Sequence, residues 1–223
     1  MIKEPNIKTA LVFGATGLVG NELTNLLLSD NNYNSVKIFV RKKTELKHPK
    51  LTQIVNALEN AEEVANEIKG EEVFCCLGTT IKKAGSQKAF ERIDLELPVK
   101  IAEIASKNGV KKFIIVSSIG ANRKSGNFYL RTKGKMEEAV LSQDIEGVYV
   151  VRPSILLGKR LESRAGEAFG KVFMGIFSFL MMGSLKKYRG IQAGTVAKAM
   201  IRLAGSGEKR LVLESDKVEE LGS

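Results

Sequence analysis

Apolar positions along this chain follow two rhythms, short unbroken runs and helical spacings, and the two alternate. Thr9–Phe13 (TALVF) is an apolar run that stops at Gly14, the pattern of a strand buried on both faces of a parallel sheet. From Leu18 to Leu28 the apolar residues fall at 18, 19, 23, 26 and 27, one face of a helix, and Asp30-Asn31-Asn32 ends it. Val36–Val40 (VKIFV) is a second strand and Gln53–Val55 a short third. Val64–Ile68 looks helical and is closed by Gly70, and Glu72–Leu77 (EVFCCL) is a fourth strand, again ending at glycine. Leu95–Lys107, with apolar residues at 97, 101, 104 and 105, is a helix closed by Asn108-Gly109. Lys112–Val116 is a fifth strand, Tyr129–Leu141 a helix, and Val148–Val151 a sixth strand stopped by Arg152-Pro153. Leu211–Leu213 is a candidate for the last strand.

Strands alternating with helices predict a doubly wound α/β fold of Rossmann type, a parallel sheet with helices on both faces and right-handed crossovers. No linker or internal repeat divides the chain, so residues 1–223 are expected to form a single domain. Within it, about 156–201 is expected to be a helical appendage on the substrate side.

Composition narrows the picture without changing it. A chain of 223 residues, 43% apolar and 27% charged, is long enough to bury a core without disulfides or metals. Disorder, a collagen helix and a heptad rod are excluded. The net charge of +10 favours anionic partners, including phosphorylated cofactors. The cations come in short clusters, such as Arg41-Lys42-Lys43 and Lys82-Lys83, which read mostly as solvated surface. No basic and aromatic interleaving supports nucleic-acid binding. Cys75 and Cys76 are neighbours in a strand and point to opposite faces, a poor chelate and a poor disulfide. With His48 the only histidine, no zinc site can be assembled and no metal is expected. Met1 to Thr9 is polar and unlike a secretory signal, so a reducing, cytoplasmic setting is expected.

The loop after the first strand is Gly14-Ala15-Thr16-Gly17-Leu18-Val19-Gly20, a GxxGxxG spacing between a strand and a helix. Glycines there allow a tight turn, a close backbone approach to a pyrophosphate and close helix–strand packing, while the helix N-terminus offers free N–H groups to the anion. The second strand ends in Phe39-Val40-Arg41-Lys42-Lys43, where an NAD site presents a carboxylate to the ribose hydroxyls. Cations in that place favour a 2′-phosphate, and so NADP(H) over NAD(H). Asn56, at the end of the third strand, is placed to face an adenine, and Leu77-Gly78 to pass beneath the cofactor.

The candidate chemistry follows the fifth strand. Ser117-Ser118 ends it, and Tyr129 and Lys133 lie four apart on one face of the next helix. A phenol is a poor acid or base at neutral pH, its ordinary pKa being about 10. A nearby ammonium and a cationic nicotinamide favour the phenolate. One serine would hydrogen-bond a substrate carbonyl. Ser118 fits the strand-end position and Ser117 the spacing to Tyr129, and the choice stays open.

In these residues the chain resembles the short-chain dehydrogenase/reductase superfamily, and within it the atypical branch typified by the Tat-interacting oxidoreductase. The resemblance runs from about Thr9 to Glu214. It rests on GATGLVG at 14–20, FVRKK at 39–43, FCCLGTT at 74–80, VSSIGA at 116–121, YLRTK at 129–133, VRPSILLG at 151–158 and ESRAGE at 162–167. It implies NADP(H) held by Thr16, Gly17, Leu18, Val19, Arg41, Lys42, Leu77, Gly78 and Lys133, with Tyr129 as proton donor or acceptor. It also implies that Arg152-Pro153-Ser154 approaches the nicotinamide. Arg41-Lys42 departs from the two arginines expected of close relatives, which keeps the charge but weakens bidentate phosphate binding.

Phe169–Met182 (FGKVFMGIFSFLMM) holds four of the ten Phe and three of the six Met, too apolar for a solvated helix. Its charge-free part would be ~16 Å long as a helix, against ~30 Å for a bilayer core, so it is no transmembrane span. Three readings stand: a helix buried all round, a wall of an apolar substrate pocket or dimer contact, and a membrane-surface patch helped by Lys186, Lys187 and Arg189.

These features point first to an NADPH-dependent oxidoreductase acting on a carbonyl or alcohol, as a monomer or homodimer, and the apolar run suggests a lipophilic substrate. A non-enzymatic NADPH-binding regulator acting through a protein partner is the alternative. A nucleotide-sugar epimerase or dehydratase shares the fold, but the short, apolar C-terminal part leaves little room for its substrate.

Overall fold

The computed structural model describes residues 7–158 and 188–223. Its elements run β1 (Lys8–Phe13), α1 (Leu18–Ser29), β2 (Tyr33–Val40), β3 (Leu51–Val55), a 3-10 turn (Ala61–Glu67), β4 (Glu72–Cys75), α2 (Ile81–Ala84) and α3 (Gln87–Glu91). A π-helical turn (Arg92–Glu96) leads into α4 (Leu97–Lys107), followed by β5 (Lys112–Val116), α5 (Phe128–Leu141), β6 (Gly147–Arg152) and β7 (Leu156–Leu157). The chain finishes with β8 (Ile191–Gln192), α6 (Ala193–Ala204), β9 (Arg210–Glu214) and α7 (Ser215–Gly222).

Seven strands form one sheet in the order β3-β2-β1-β4-β5-β6-β9, every neighbouring pair parallel. The expected doubly wound fold is therefore what the chain adopts. Both faces of the sheet are covered, which explains the near-continuous apolar strands. Ala10 and Val12 face a layer built from α1, α6 and α7, while Leu11 and Phe13 face the 3-10 turn, α4 and α5. The same alternation puts Phe74 and Tyr149 on the first side, and Cys75, Phe113 and Val150 on the second. Phe13 and Phe39 stack across β1 and β2 with ring centroids 4.1 Å apart. Because β1 lies between β2 and β4, the strand order reverses there, and the crevice at that point is where such sheets bind ligands.

Several elements differ from the sequence pattern for identifiable reasons. The fourth strand stops at Cys75 rather than Leu77, because the phosphate loop turns against it. Gly14 has φ +81°, and a Cβ there would sit 2.6 Å from the Cys76 carbonyl oxygen. The helix expected from Leu95 begins at Leu97. Pro98 has no N–H to give the Asp94 carbonyl, and the preceding turn is wound wider, with Leu97 N–H donating to Arg92 O. The short helices α2 and α3 carry too few residues to show a period. Their caps were readable, since Thr80 accepts from Lys83 N–H and Ser86 from Ala89 N–H.

Of the expected appendage 156–201, residues 159–187 lie outside the described residues, and with them the apolar run 169–182 and the ESRAGE string. The described flanks meet as a two-stranded parallel pair, Leu156 with Ile191 and Leu157 with Gln192. Most of α6 falls within the same boundaries, yet it belongs to the layer covering the sheet. Val196, Ala197 and Met200 are fully buried there, packed with α1. No helix among the described residues is long and apolar enough to cross a membrane.

Candidate functional site

The phosphate loop is shaped by its glycines in three different ways. Gly14 lets the turn approach β4, as above. A Cβ on Gly20 would come 2.1 Å from Gly14 O, so that glycine sets how closely α1 packs on its own loop. Gly17 is different: a Cβ there would meet only Gly14 O, at 3.2 Å, and its outer side is open. The N-terminus of α1 has no side-chain cap and no acidic residue in its first turn. Its free N–H groups are left for an anion.

A cleft of about 340 Å³ opens at this point. The phosphate loop walls it with Thr16, Gly17, Leu18, Val19 and Asn21, and the end of β4 with Cys76, Leu77, Gly78, Thr79 and Thr80. Val116 and Ser117 line it from the end of β5, and Tyr129 and Lys133 from α5, alongside Lys83, Asp94 and Leu156. Tyr129 and Lys133 thus share the face that their spacing predicted. Their helix is begun by Asn127, whose Oδ1 accepts from Leu130 N–H. The Tyr129 ring leans on buried Phe90 with centroids 5.6 Å apart. Lys133 Nζ lies 2.7 Å from Asp94 Oδ1, and both side chains are almost wholly buried.

The two serines separate clearly. Ser117 lines the cleft, and its Oγ is buried without a hydrogen-bond partner. Ser118 does not line it, and its Oγ makes only a long contact of 3.4 Å to Ile119 O. An orphaned buried hydroxyl on a residue that lines the same cleft as Tyr129 is the kind of group a ligand oxygen completes.

Other sequence-predicted residues stand elsewhere. Arg41 and Lys42 are exposed beyond the end of β2 and make no ion pair with another described residue. Asn56 is engaged locally, its Oδ1 accepting from Leu58 N–H and its Nδ2 donating to Glu63. Arg152 and Ser154 do not reach the cleft. Arg152 is occupied by Glu137 and Glu214. Ser154 Oγ donates to Arg189 O and receives the Ser215 hydroxyl. Conversely, the structure adds Asn21, Thr79, Thr80, Lys83 and Asp94 to the cleft. Lys82-Lys83 has the sequence pattern of solvated surface charge, and Asp94 lies in no motif. A separate depression of about 420 Å³ beside α7 is lined by charged residues, among them Arg189, Asp216 and Lys217. It holds none of the predicted site residues. No cluster that could hold a metal ion occurs among the described residues.

The open Gly17, the uncapped N-terminus of α1 and the orphaned Ser117 hydroxyl fit a dinucleotide laid across the switch point of the sheet. Fold and cleft together define a Rossmann-type dinucleotide-binding protein. Residues 14–169 match the model of the NAD(P)H-binding family, and the chain belongs to that family. It is 34% identical to the Protein HTATIP2 of Rattus norvegicus over 222 residues, 96% of this chain and 89% of that protein. It is 31% identical to "Protein FMP52, mitochondrial" of Debaryomyces hansenii, over 88% of this chain and 87% of the relative. Among solved structures it resembles the Bordetella bronchiseptica enzyme WbmH in complex with NAD+, at 15% identity and a TM-score of 0.72, covering 94% and 76% of the two chains. A UDP-glucose 4-epimerase of Thermotoga maritima superposes with a TM-score of 0.69 at 18% identity, covering 92% and 76%. At these identities the two structures speak for the fold.

Proposed function

We propose that this protein is an NADPH-dependent oxidoreductase of short-chain dehydrogenase type, acting on a carbonyl or alcohol carbon. The observation that carries the reading is the convergence of Tyr129, Lys133 and the unpartnered Ser117 hydroxyl on one cleft with the phosphate loop. When bound, the nicotinamide gives or takes the hydride. The chain's own residues bind, orient and move the proton. The N–H groups at the start of α1 hold the pyrophosphate, and Gly17 admits it. Lys133 holds the nicotinamide ribose. Ser117, rather than Ser118, donates its hydroxyl to the substrate oxygen, and Tyr129 transfers the proton to or from that oxygen. Cys76, Leu77 and Gly78 form the floor beneath the cofactor. Exposed Arg41 and Lys42, with no carboxylate of their own to answer, receive the 2′-phosphate.

A side-by-side titration of NADPH and NADH tests the reading. NADPH binding at least tenfold tighter than NADH, a difference of ~1.4 kcal/mol, is the expected result. Equal affinities would remove the role given to Arg41 and Lys42, and no binding of either would remove the function.

A further inference from the structure

Charge inside the cleft is not balanced. Among the described residues that line it, the charged ones are Lys83, Asp94 and Lys133. Asp94 and Lys133 answer each other, Oδ1 to Nζ at 2.7 Å. Lys83 is left over: it is exposed and makes no ion pair with another described residue. Its neighbour Lys82 does not line the cleft.

Packing does not account for this placement, because α2 buries none of its residues. The turn is held from its two ends instead. Thr80 Oγ1 accepts from Lys83 N–H at 3.2 Å, and Gly85, at φ +83°, closes it with its N–H on Ile81 O. The segment is also tied to α5 on either side. Before it, Thr79 N–H donates to Asp94 Oδ2 at 2.8 Å, and Asp94 meets Lys133. After it, Phe90 of α3 touches the Tyr129 ring. Lys83 is thereby presented on the α5 side of the cleft, where Tyr129 acts. The pyrophosphate falls to the N–H groups of α1, and the 2′-phosphate to Arg41 and Lys42. An ammonium on open surface gains little from an ion pair. In a cleft whose water a bound cofactor displaces, the same pair is screened less and counts for more. Val116 and Leu156 give that cleft apolar surface for the body of a substrate.

We propose that Lys83 is a substrate-binding residue, which pairs with a carboxylate on a substrate whose carbonyl group faces Tyr129. This rests on the reading of the cleft as a site of carbonyl and alcohol chemistry, and it names the class of carbonyl compound that enters.

Two aromatic aldehydes test it, terephthalaldehydic acid and its methyl ester, which share ring and aldehyde and differ in the negative charge. Both are titrated calorimetrically into the full chain saturated with NADP+, which cannot reduce them. The acid binds at least tenfold tighter than the ester. That preference falls below twofold in Lys83→Met, and it persists in Lys83→Arg and in Lys82→Met. Equal affinities, binding of neither aldehyde, or a preference untouched by Lys83→Met would overturn the inference. So would a preference lost equally in Lys82→Met, which would mark a diffuse field rather than a site. A tenfold loss of NADP+ affinity in Lys83→Met, with the preference intact, would assign the lysine to the cofactor and overturn the inference too. Turnover with NADPH separates the two readings. Reduction of both aldehydes at equal affinity overturns the role of Lys83 and leaves the oxidoreductase standing. Reduction of neither, with a preference that follows Lys83, removes the oxidoreductase and leaves the anion site.

Discussion

Arg152 grips Glu137 with two nitrogens, Nε on Oε1 at 2.9 Å and Nη2 on Oε2 at 2.5 Å, while its Nη1 reaches Glu214 at 2.8 Å. The fork ties the end of β6 to α5 and to the end of β9. The two carboxylates hold the guanidinium even further into its charged form than usual, the Glu137 hydrogen bonds contributing most. A side chain so engaged anchors the helix that carries Tyr129 and Lys133. It does not line the cleft.

Replacing Arg152 by Leu should therefore act on stability first. Glu137 would be left as a buried, unpaired carboxylate, and breaking such a pair costs about 3–5 kcal/mol. Urea unfolding measures that loss. NADPH affinity of the folded variant should stay near that of the natural protein. A tenfold weakening, worth ~1.4 kcal/mol, would instead bring the guanidinium into the binding site.

Alkaline pH should unfold the protein through three groups. Burial pushes the Cys75 thiol up to about 12 from an ordinary 9.0, and pushes the Cys76 thiol well above the same value. Burial, followed by the charge of Glu72, raises the Tyr33 phenol far above its ordinary 10.0. The Tyr33 hydroxyl donates to Glu72, which also receives Lys8. In each case the folded chain keeps a proton that the unfolded chain releases. The stabilisation is complete below the ordinary value and drains away as pH rises toward the folded one. Urea midpoints should fall from about pH 9 upward. In Tyr33→Phe the fall above pH 10 should be shallower, the window in which only the unfolded phenol ionises. An identical slope in that variant would dismiss the assignment to Tyr33. The same burial should keep the Cys75 thiol unreactive toward disulfide reagents at neutral pH until the chain is unfolded.

The fold was legible because both faces of the sheet are buried: Leu11 and Phe13 on one side and Ala10 and Val12 on the other make β1 an unbroken apolar run. The strand ends mattered as much, since Gly14, Gly78 and Ser117 mark where backbone leaves the sheet and the cleft begins. Pairings between distant residues were not legible. Nothing in the stretch around Arg92-Ile93-Asp94 distinguishes Asp94 from a solvated acid on an amphipathic helix. Its burial follows from a turn widened ahead of Pro98 and from a lysine 39 positions away. The ion pairs of Arg152 were hidden for the opposite reason. A strand-end position in a familiar motif suggested the cofactor, while the carboxylates that claim it come from α5 and β9. The serine question needed side-chain direction as well. Of two adjacent hydroxyl residues beyond the end of β5, only Ser117 lines the cleft.

Cofactor choice should respond to charge at Arg41 and Lys42 alone. Both are exposed, so Arg41→Ala with Lys42→Ala should leave the fold intact, surface changes of this kind costing no more than ~0.5 kcal/mol. NADPH affinity should fall at least tenfold, with NADH affinity unchanged and the salt dependence of NADPH binding reduced. Parallel calorimetric titrations of the two cofactors at two salt concentrations decide the matter. Equal losses for both cofactors would mean that the cations act on the pyrophosphate rather than on the 2′-phosphate.

Tyr129→Phe separates chemistry from binding. The substituted ring keeps its lean against Phe90, 5.6 Å between centroids, so packing around α5 is preserved. Only the hydroxyl is lost. If that hydroxyl moves the proton, turnover of NADPH against a panel of aldehydes and ketones should fall by ~10²–10⁴, the contribution typical of a positioned acid or base. NADPH affinity should change little, because Lys133 and the phosphate loop are untouched. Ser117→Ala should lower turnover as well, and Ser118→Ala should leave it near the natural value, since Ser117 lines the cleft with its hydroxyl unpartnered and Ser118 does not line it. Equal losses in the two serine variants would mean that substrate is oriented by something other than the Ser117 hydroxyl. Undiminished turnover in Tyr129→Phe would remove the tyrosine from the chemistry, leaving the cleft as a place where the cofactor is bound without being used by this residue.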